Sequence, residues 1–533
     1  MSNSSAGKNN TFFGGAAILA AGIVIVKLIG ALYKLPLGRI LSTAAFSDFN
    51  SAYYIYSLLI VISTGGLPVA LSKMVSEANT LGRHNQVQKT FRLSMIAFAV
   101  MGIVSFCIMF FFPGPLSKLL NNSRSYYSIL ALAPAAFFIC PLSAFRGYFQ
   151  GHSYMTPTAV SQIIEALCKL AFGLALAAWL VRRTDESVAA AGAIVGVSIG
   201  CGMAFLYMFL RYLPFRRKHR EKSHDVPDDT GVILRRLARL AVPITLGSSV
   251  VAIVTLVDTS LVFSRLQFAA GFTENEARAL KGVYDLAIVP YNLPASLMVS
   301  LTSSVIPAIS ACRARRDRLG AGRIAESSLR VASLIAFPAG TGLSVLATPI
   351  MTLFYPDRNP ALGGWILSLL GVASVAVCLM LVSTSILQAN GFVNLPILVT
   401  AVGSSVKIVS NYVLVGNPQI NIKGAPIGTI LCFGIIALIN LGLIARVVPA
   451  PPRYGKVFLK PLIASVVMGA GARGAYGLLA HAAGLGNSLS TLGAIAVGVV
   501  VYFVLVLALR AISSDDLALM PKGDKIARVL KIR

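Results

Sequence analysis

The sequence predicts an all-α, polytopic membrane protein with about fourteen transmembrane helices, in two six-helix lobes followed by two further helices. Three observations carry this. The 533-residue chain is 56% hydrophobic and 12% charged, with a mean hydropathy of +0.78, far from the balance of soluble domains. Apolar runs of about 20 residues recur along it, each long enough to cross the roughly 30 Å hydrocarbon layer as a helix. Basic residues gather in alternate connecting loops, the pattern that fixes orientation in membranes.

In order, the runs fall near 11–39, 51–74, 91–112, 127–149, 158–181, 187–210, 240–264, 284–310, 331–354, 363–388, 395–415, 424–445, 457–480 and 489–510. The first follows a polar start, Met1 to Asn10, carries Lys27 and Lys34 and lacks a small-residue cleavage site, so it reads as a span rather than a removable signal. The second is interrupted by Gly65-Gly66-Leu67-Pro68, the fourth holds Pro134 and Pro141, and the eighth holds Pro290, Pro294 and Pro307. Proline removes a donor and kinks a helix, so Gly65, Gly66, Pro68, Pro294 and Pro307 are candidate hinges, packing being the alternative reading.

Lys and Arg number 46 against 19 Asp and Glu, for a net charge of +27. Such a balance suggests nucleic acid only where the basic residues share a soluble surface, and here they lie between apolar runs. With the N-terminus inside, about 30 basic residues fall on the inner side and about 9 on the other. They include Arg83, Lys89 and Arg92, the group from Arg216 through Arg220 to Arg239, Arg313 to Arg323, and the tail from Lys522 to Arg533. Both termini are therefore expected in the cytoplasm, and much of the charge is topology signal and contact with anionic lipid headgroups. The seven cysteines, Cys107, Cys140, Cys168, Cys201, Cys312, Cys378 and Cys432, show no CxxC pairing and read as core-filling thiols.

The longest hydrophilic stretch lies near the middle. It divides the chain into an N-terminal lobe (1–211), a basic linker (212–239), a C-terminal lobe (240–447) and a terminal helix pair with basic tail (448–533). A shift of 239 places Pro68 on Pro307 and Ser94-Met95-Ile96-Ala97-Phe98 on Ser333-Leu334-Ile335-Ala336-Phe337; a shift of 238 places Gln150 on Gln388 and Lys169 on Lys407. A near-constant offset points to duplication, with chance alignment of apolar text as the alternative. Six spans separate equivalent helices, so the repeats are parallel.

Charges inside the spans are costly and mark interiors or watery cavities. Lys27, Lys34 and Arg39 lie in the first span, Arg146 at the end of the fourth, Glu165 and Lys169 in the fifth, Asp258 in the seventh, Lys407 in the eleventh and Arg473 in the thirteenth. Lys27 and Lys34 are seven apart and project from one face. The deep set is mostly cationic and suits an anionic headgroup, because Lys and Arg pair strongly with phosphate oxygens. For Lys27, Lys34 and Arg39 the competing reading is snorkelling to an interface. Glu165 and Lys169, four apart, are either a private ion pair or substrate contacts. Asp258 either binds a coupling cation or proton or makes a structural hydrogen bond.

The segment Lys27-Leu28-Ile29-Gly30-Ala31-Leu32-Tyr33-Lys34-Leu35-Pro36-Leu37 resembles the first helix of the polysaccharide biosynthesis and stage V sporulation protein B group. Gly66 to Arg83, Ser161 to Leu170 and Leu293 to Ser310 are similar to that group's second, fifth and eighth helices. The group belongs to the multidrug/oligosaccharidyl-lipid/polysaccharide (MOP) exporter superfamily, with lipid II flippases of the MurJ type. The resemblance implies two lobes, fourteen helices and transport of an undecaprenyl-pyrophosphate-linked sugar, most simply lipid II for peptidoglycan or spore cortex. It places the pyrophosphate contacts on Lys27, Lys34 and Arg39. In some MurJ-type proteins it also implies sodium in the second lobe, on Asp258, Asn411 and Thr429; a second acidic position of that pattern is Val415 here.

The expectation is thus a non-enzymatic flippase of the cytoplasmic membrane. Lys27, Lys34, Arg39, Glu165, Lys169 and Lys407 line its substrate path. Na+ or H+ is the candidate coupling ion, and no other cofactor or structural metal is expected. Its expected partners are a lipid-linked oligosaccharide, membrane lipids and the cell-wall synthesis machinery, not nucleic acid. No GxxxxGK[ST] phosphate loop is present. A multidrug or cation antiporter of the same superfamily is the nearest rival, although three basic residues on the first span would repel cations. A membrane glycosyltransferase would need clustered carboxylates. Ser47-Asp48 and Asp185-Glu186 read instead as isolated in short outer loops, and Asp225, Asp228 and Asp229 as part of a disordered linker.

Overall fold

A computed structural model describes residues 4–218, 225–392, 394–448 and 450–511. They are predominantly helical, with no strand among the described residues, and fourteen helical segments are long and apolar enough to cross a membrane. The helices are α1 (Ser4–Ile40), α2 (Thr43–Thr64), α3 (Leu67–Thr80), α4 (His84–Phe111), α5 (Pro113–Leu119), α6 (Tyr126–Gly151), α7 (Thr156–Leu180), α8 (Glu186–Lys218) and α9 (Thr230–Ser264). Then follow α10 (Glu274–Ala314), α11 (Arg318–Val345), α12 (Ala347–Phe354), α13 (Pro360–Ala389), α14 (Asn394–Leu414), α15 (Gly424–Val447), α16 (Tyr454–Gly477) and α17 (Asn487–Ala508). Arg220 and the basic tail Lys522 to Arg533 lie outside the described residues.

Every predicted span coincides with one of these segments, but several helices outrun the apolar text. α4 begins at His84, α9 at Thr230 and α10 at Glu274, seven to ten residues early, and the added turns carry Lys89, Arg235, Arg236 and Arg278. Continuing the helix satisfies backbone N–H and C=O groups whatever the side chains are. Hydropathy registers only the side chains.

Packing gathers Met1–Gln267 with Phe272–Gly282 into one compact unit, and Phe268–Gly271 with Val283–Arg533 into a second. α9, expected to open the C-terminal lobe, therefore packs within the first unit, and the division falls inside α10 rather than at the 212–239 linker.

Within the first unit, the second span breaks as its Gly-Gly-Leu-Pro text requires: α2 ends at Thr64, and α3 restarts at Leu67 with Pro68 in its first turn. The break is also a close contact. The Gly66 N–H donates to Thr245 Oγ1 at 3.0 Å, and a Cβ at Gly66 would sit 2.1 Å from the Ala241 carbonyl oxygen of α9. Only glycine fits there. Pro294 and Pro307 interrupt nothing, since α10 runs helical through both.

The linker's acidic residues are ordered, contrary to expectation. Asp225 accepts the backbone N–H groups of Asn85 (3.0 Å) and Gln86 (2.9 Å), satisfying donors in the first turn of α4. Asp228 pairs with Arg83 at 2.9 Å and accepts from Gln86 Nε2 at 3.1 Å, while Lys89 Nζ donates to the Asp228 carbonyl at 2.7 Å. Residues 225–229 thus form a strap across the start of α4.

In the second unit, Met298, Val305 and Ile309 of α10 pack with Leu329 and Ala332 of α11, Val382 and Ile386 of α13 and Ile444 of α15. The two halves share an element order with a fixed register. α4 and α11 are both 28 residues long, 234 apart at their starts, and each is followed by a short helix, α5 or α12. From there the offset is 238: left-handed Asn121 answers Asn359, Ser153 answers Gly391, and the starts of α7 and α8 answer those of α14 and α15. Gln150/Gln388 and Lys169/Lys407 keep this register. The Ser94–Phe98 match to Ser333–Phe337, at 239, falls five residues out of the α4/α11 register.

Candidate functional site

The first unit brings several of the intramembrane charges together around α7, and small residues make this possible. A Cβ at Gly196 of α8 would lie 2.3 Å from the Gly173 backbone nitrogen, and one at Gly200 would lie 2.7 Å from the Glu165 carbonyl oxygen, so α7 and α8 meet nearly backbone to backbone. The missing side chain of Gly173 also admits Tyr33 of α1, whose hydroxyl donates to the Ala193 carbonyl at 3.0 Å and which is fully buried. Tyr33 fixes the rotation of α1 and with it the direction of its neighbour Lys34.

α2 supplies the facing wall. Phe46, Phe49, Tyr53 and Tyr56 recur at helical spacing and touch in sequence, with ring centroids 6.0, 5.1 and 5.9 Å apart. Lys169, midway along α7, donates to Tyr53 Oη at 2.8 Å, and its ammonium lies 4.8 and 4.7 Å from the ring centroids of Tyr33 and Tyr53. Two aromatic faces and a hydroxyl make the direct contacts to this charge. Lys34 Nζ is 3.4 Å from Asn50 Oδ1; Lys34 and, more weakly, Lys27 repel Lys169, while the Glu165 carboxylate attracts it without a direct ion pair.

Glu165 does not form the private pair with Lys169 that their spacing allowed. Its carboxylate accepts from Arg146 Nη2 of α6 at 3.0 Å, and Arg146 Nε donates to Ser161 Oγ at 3.0 Å. Arg146 is the shorter reach because α6 and α7 are consecutive and antiparallel, whereas the Lys169 ammonium is drawn onto the aromatic wall. Glu165 is neutralised by Arg146, and Lys27, Lys34 and Lys169 leave the cluster net cationic. Lys27 is exposed, Lys34 half-buried, and Arg39 exposed in the last turn of α1.

The remaining candidates are divided between the two units. Asp258 is half-buried on α9 in the first unit, while Lys407, Asn411 and Thr429 belong to the second. Asn411 is fully buried against Gly428, and Thr429 donates to the Ala425 carbonyl at 3.0 Å with Tyr284 Oη at 3.3 Å. Val415 is buried with no oxygen to offer from its side chain. From this pattern the second unit contributes one amide oxygen and one hydroxyl, while Asp258 belongs to the first unit.

Two polar features escaped the sequence. Asp48, read as an isolated loop residue, is fully buried in α2 and holds Arg278 of α10, itself 6% exposed, through Nε–Oδ1 (2.9 Å) and Nη2–Oδ2 (2.5 Å) contacts. Ser187 Oγ reaches the same carboxylate at 3.3 Å, and Asn275 accepts from Arg278 at 2.9 Å. Asp185 pairs with Arg124 at 2.9 Å, and Glu186 accepts from Ser42 at 2.5 Å, so neither is isolated. These groups join parts of the chain up to 230 residues apart. The one available signal was that Asp48 and Arg278 both border apolar runs at ends assigned to the same membrane side.

Comparison with known proteins agrees with this architecture. Residues 12–312 match the polysaccharide biosynthesis protein family. Three Bacillus subtilis proteins align over most of their lengths. The uncharacterized membrane protein YabM is 25% identical (99% of this chain, 98% of the relative), and stage V sporulation protein B is 24% identical (96% and 98%). Lipid II flippase MurJ is 24% identical (86% of each). Among solved structures, lipid II flippase MurJ in an inward closed conformation superposes with a TM-score of 0.69 at 16% identity, covering 92% of this chain and 98% of that one. An inward-facing multidrug resistance MATE family transporter gives 0.64 at 14% identity, covering 83% and 98%. At such identities the likeness speaks to fold alone. The chain belongs to the polysaccharide biosynthesis protein family, with the polytopic fold of the MOP superfamily.

Proposed function

We propose that this protein is a flippase that carries an undecaprenyl-pyrophosphate-linked cell-envelope precursor, lipid II or a related lipid-linked oligosaccharide, from the inner to the outer leaflet of the cytoplasmic membrane. Both chain ends would lie in the cytoplasm. The observation that carries the reading is the net positive cluster at mid-span: Lys169 cradled by Tyr33 and Tyr53, with Lys34 and Lys27 near it. Each such charge costs about 2.5–3.5 kcal/mol to hold at the centre of a bilayer. A diphosphate neutralises it with strong charge-assisted hydrogen bonds, the sugar occupies polar space, and the prenyl chain stays in lipid. The names of two relatives, stage V sporulation protein B and lipid II flippase MurJ, support the same cargo class.

Movement then requires alternation between inward- and outward-open states. The transmembrane potential is a source of direction that an anionic cargo can use directly. An inside-negative potential favours outward movement of an anion by about 2.3 kcal/mol per charge per 100 mV. Cell-wall synthesis enzymes on the two faces would supply and consume the cargo. The MATE-type likeness makes a cation antiporter the rival reading, but a cationic cluster repels cationic drugs. The test is reconstitution with labelled lipid II: Lys27→Ala with Lys34→Ala abolishes translocation on this reading. Unchanged translocation, or extrusion of cationic dyes in an efflux-deficient host, overturns it.

A further inference from the structure

The end of the first unit that carries the linker strap holds a second polar feature, unrelated to the mid-span cluster. A small cleft opens there, lined by Asn79 of α3, His84, Val87 and Gln88 of α4, Tyr148 and His152 of α6, and Arg216 of α8. It has about 30 Å³ open to a water-sized sphere, room for two or three ordered waters or one tetrahedral oxyanion.

The lining is one-sided in charge. It presents two imidazoles, a guanidinium and two carboxamides, and no carboxylate. Among the described residues, the nearby carboxylates are engaged elsewhere: Glu77 with Arg236 (2.5 Å), Asp228 with Arg83, and Asp225 with the amides of Asn85 and Gln86. The first turn of α4 divides this work between two faces. Asn85, Gln86 and Lys89 take the strap, whereas His84, Val87 and Gln88, spaced i, i+3 and i+4, turn to the cleft. The strap therefore already satisfies the helix N-terminus, and the cleft's capacity for an anion rests on its side chains.

Two of those side chains, His152 and Tyr148, are held in place. His152 Nδ1 lies 2.9 Å from the Tyr148 carbonyl, which can only accept, so Nδ1 carries the proton and the ring's orientation is fixed. The imidazole lies tilted at 4.4 Å from the Tyr148 ring and edge-on at 5.3 Å from Phe215, and Tyr148 is packed against Phe91 (4.5 Å) and Tyr212 (5.5 Å). Arg216 makes no ion pair among the described residues. With Nδ1–H committed to Tyr148, His152 donates to an anion when Nε2 is protonated as well, and beside the exposed Arg216 guanidinium this cationic lining around a small volume matches a phosphate group.

We infer that this cleft is a phosphate-binding site, taking a phosphate mono- or diester through Arg216, His152 and His84, with Asn79 and Gln88 as neutral donors. A phospholipid headgroup and soluble phosphate share this chemistry. The test uses the full chain in neutral detergent and does not depend on transport. Its thermal unfolding midpoint is followed against inorganic phosphate, against short-chain phosphatidylglycerol, and against chloride at matched ionic strength. A saturable upward shift beyond the chloride control is expected. Phosphate alone sufficing identifies a soluble oxyanion; a response confined to the lipid identifies a headgroup. Arg216→Gln and His152→Gln, at the cleft rim, each weaken the apparent affinity about ten- to hundredfold, as loss of a charge-assisted hydrogen bond does. No saturable shift in either arm overturns the inference, as does an equal shift in a variant carrying both Arg216→Gln and His152→Gln that elutes as a single species.

Discussion

The Asp48–Arg278 pair offers a severe test of the structure, because both groups are hidden and they come from distant parts of the chain. Asp48 is fully buried and Arg278 is 6% exposed, and two guanidinium N–H groups meet two carboxylate oxygens. Neutralising one partner leaves the other charge buried with neutral groups beside it, Ser187 and Asn122 for Asp48 and Asn275 for Arg278. Breaking a buried pair from one side costs about 3–5 kcal/mol, whereas replacing both members with apolar residues of similar size costs far less. Asp48→Leu and Arg278→Met should therefore each lower stability by about that amount, and the double variant should recover most of it. Purified single and double variants can be compared by denaturant unfolding in the same micelle, with the coupling read from the double-mutant cycle. Single variants within about 1 kcal/mol of wild type, or strictly additive losses, would refute the burial and the pairing.

Four further outcomes follow from particular contacts. Gly66→Ala places a methyl 2.1 Å from the Ala241 carbonyl and should lower the unfolding midpoint, whereas Gly434→Ala, which meets nothing within 4 Å, should not; equal effects would deny the close α3–α9 crossing. Asp225→Ala removes the acceptor for two amides of α4, a loss of about 0.5–2 kcal/mol. It should speed tryptic cleavage after Arg217 and Lys218, and an unchanged cleavage rate would mean the strap does not hold that end. Glu165→Gln should leave Lys169 on Tyr53 while weakening Arg146, so translocation falls less than in Lys169→Gln; the reverse ranking contradicts the separate partners of these two residues. In proteoliposomes, an imposed inside-negative potential should accelerate outward movement of lipid II, and dependence on a sodium gradient alone would contradict potential as the driving force.

Much of the fold was legible because each span must satisfy its backbone internally and present apolar side chains over about 20 residues, which leaves a plain trace in the text. The break at Gly65-Gly66-Leu67-Pro68 was readable for the same reason, since those residues have few other uses inside a helix. The duplication was visible where polar residues anchored it, at Gln150/Gln388 and Lys169/Lys407, and misleading where only apolar letters agreed, at Ser94–Phe98. Helix starts were missed wherever a helix continues into charged text, as at His84 and Glu274.

The grouping of the candidate residues was half legible. Composition and position picked out Lys27, Lys34 and Lys169, because a charge in an apolar run is conspicuous. Their partners were not, because tyrosine on an apolar face is ordinary text: nothing in the sequence joins Lys169 to Tyr53, 116 residues away. Local spacing proposed Glu165 with Lys169, and tertiary reach gave Glu165 to Arg146 instead. The strap of Asp225 and Asp228 was missed because polar composition resembles disorder until its acceptors find helix amides.

The most direct measurement is the rate of lipid II translocation in proteoliposomes containing wild type, Lys169→Gln or Lys169→Arg at equal reconstituted density. A cationic cluster that engages the diphosphate demands at least about a tenfold loss for the glutamine variant and substantial retention for arginine, which keeps the charge. A glutamine variant that moves lipid II at the wild-type rate would contradict the account at its centre.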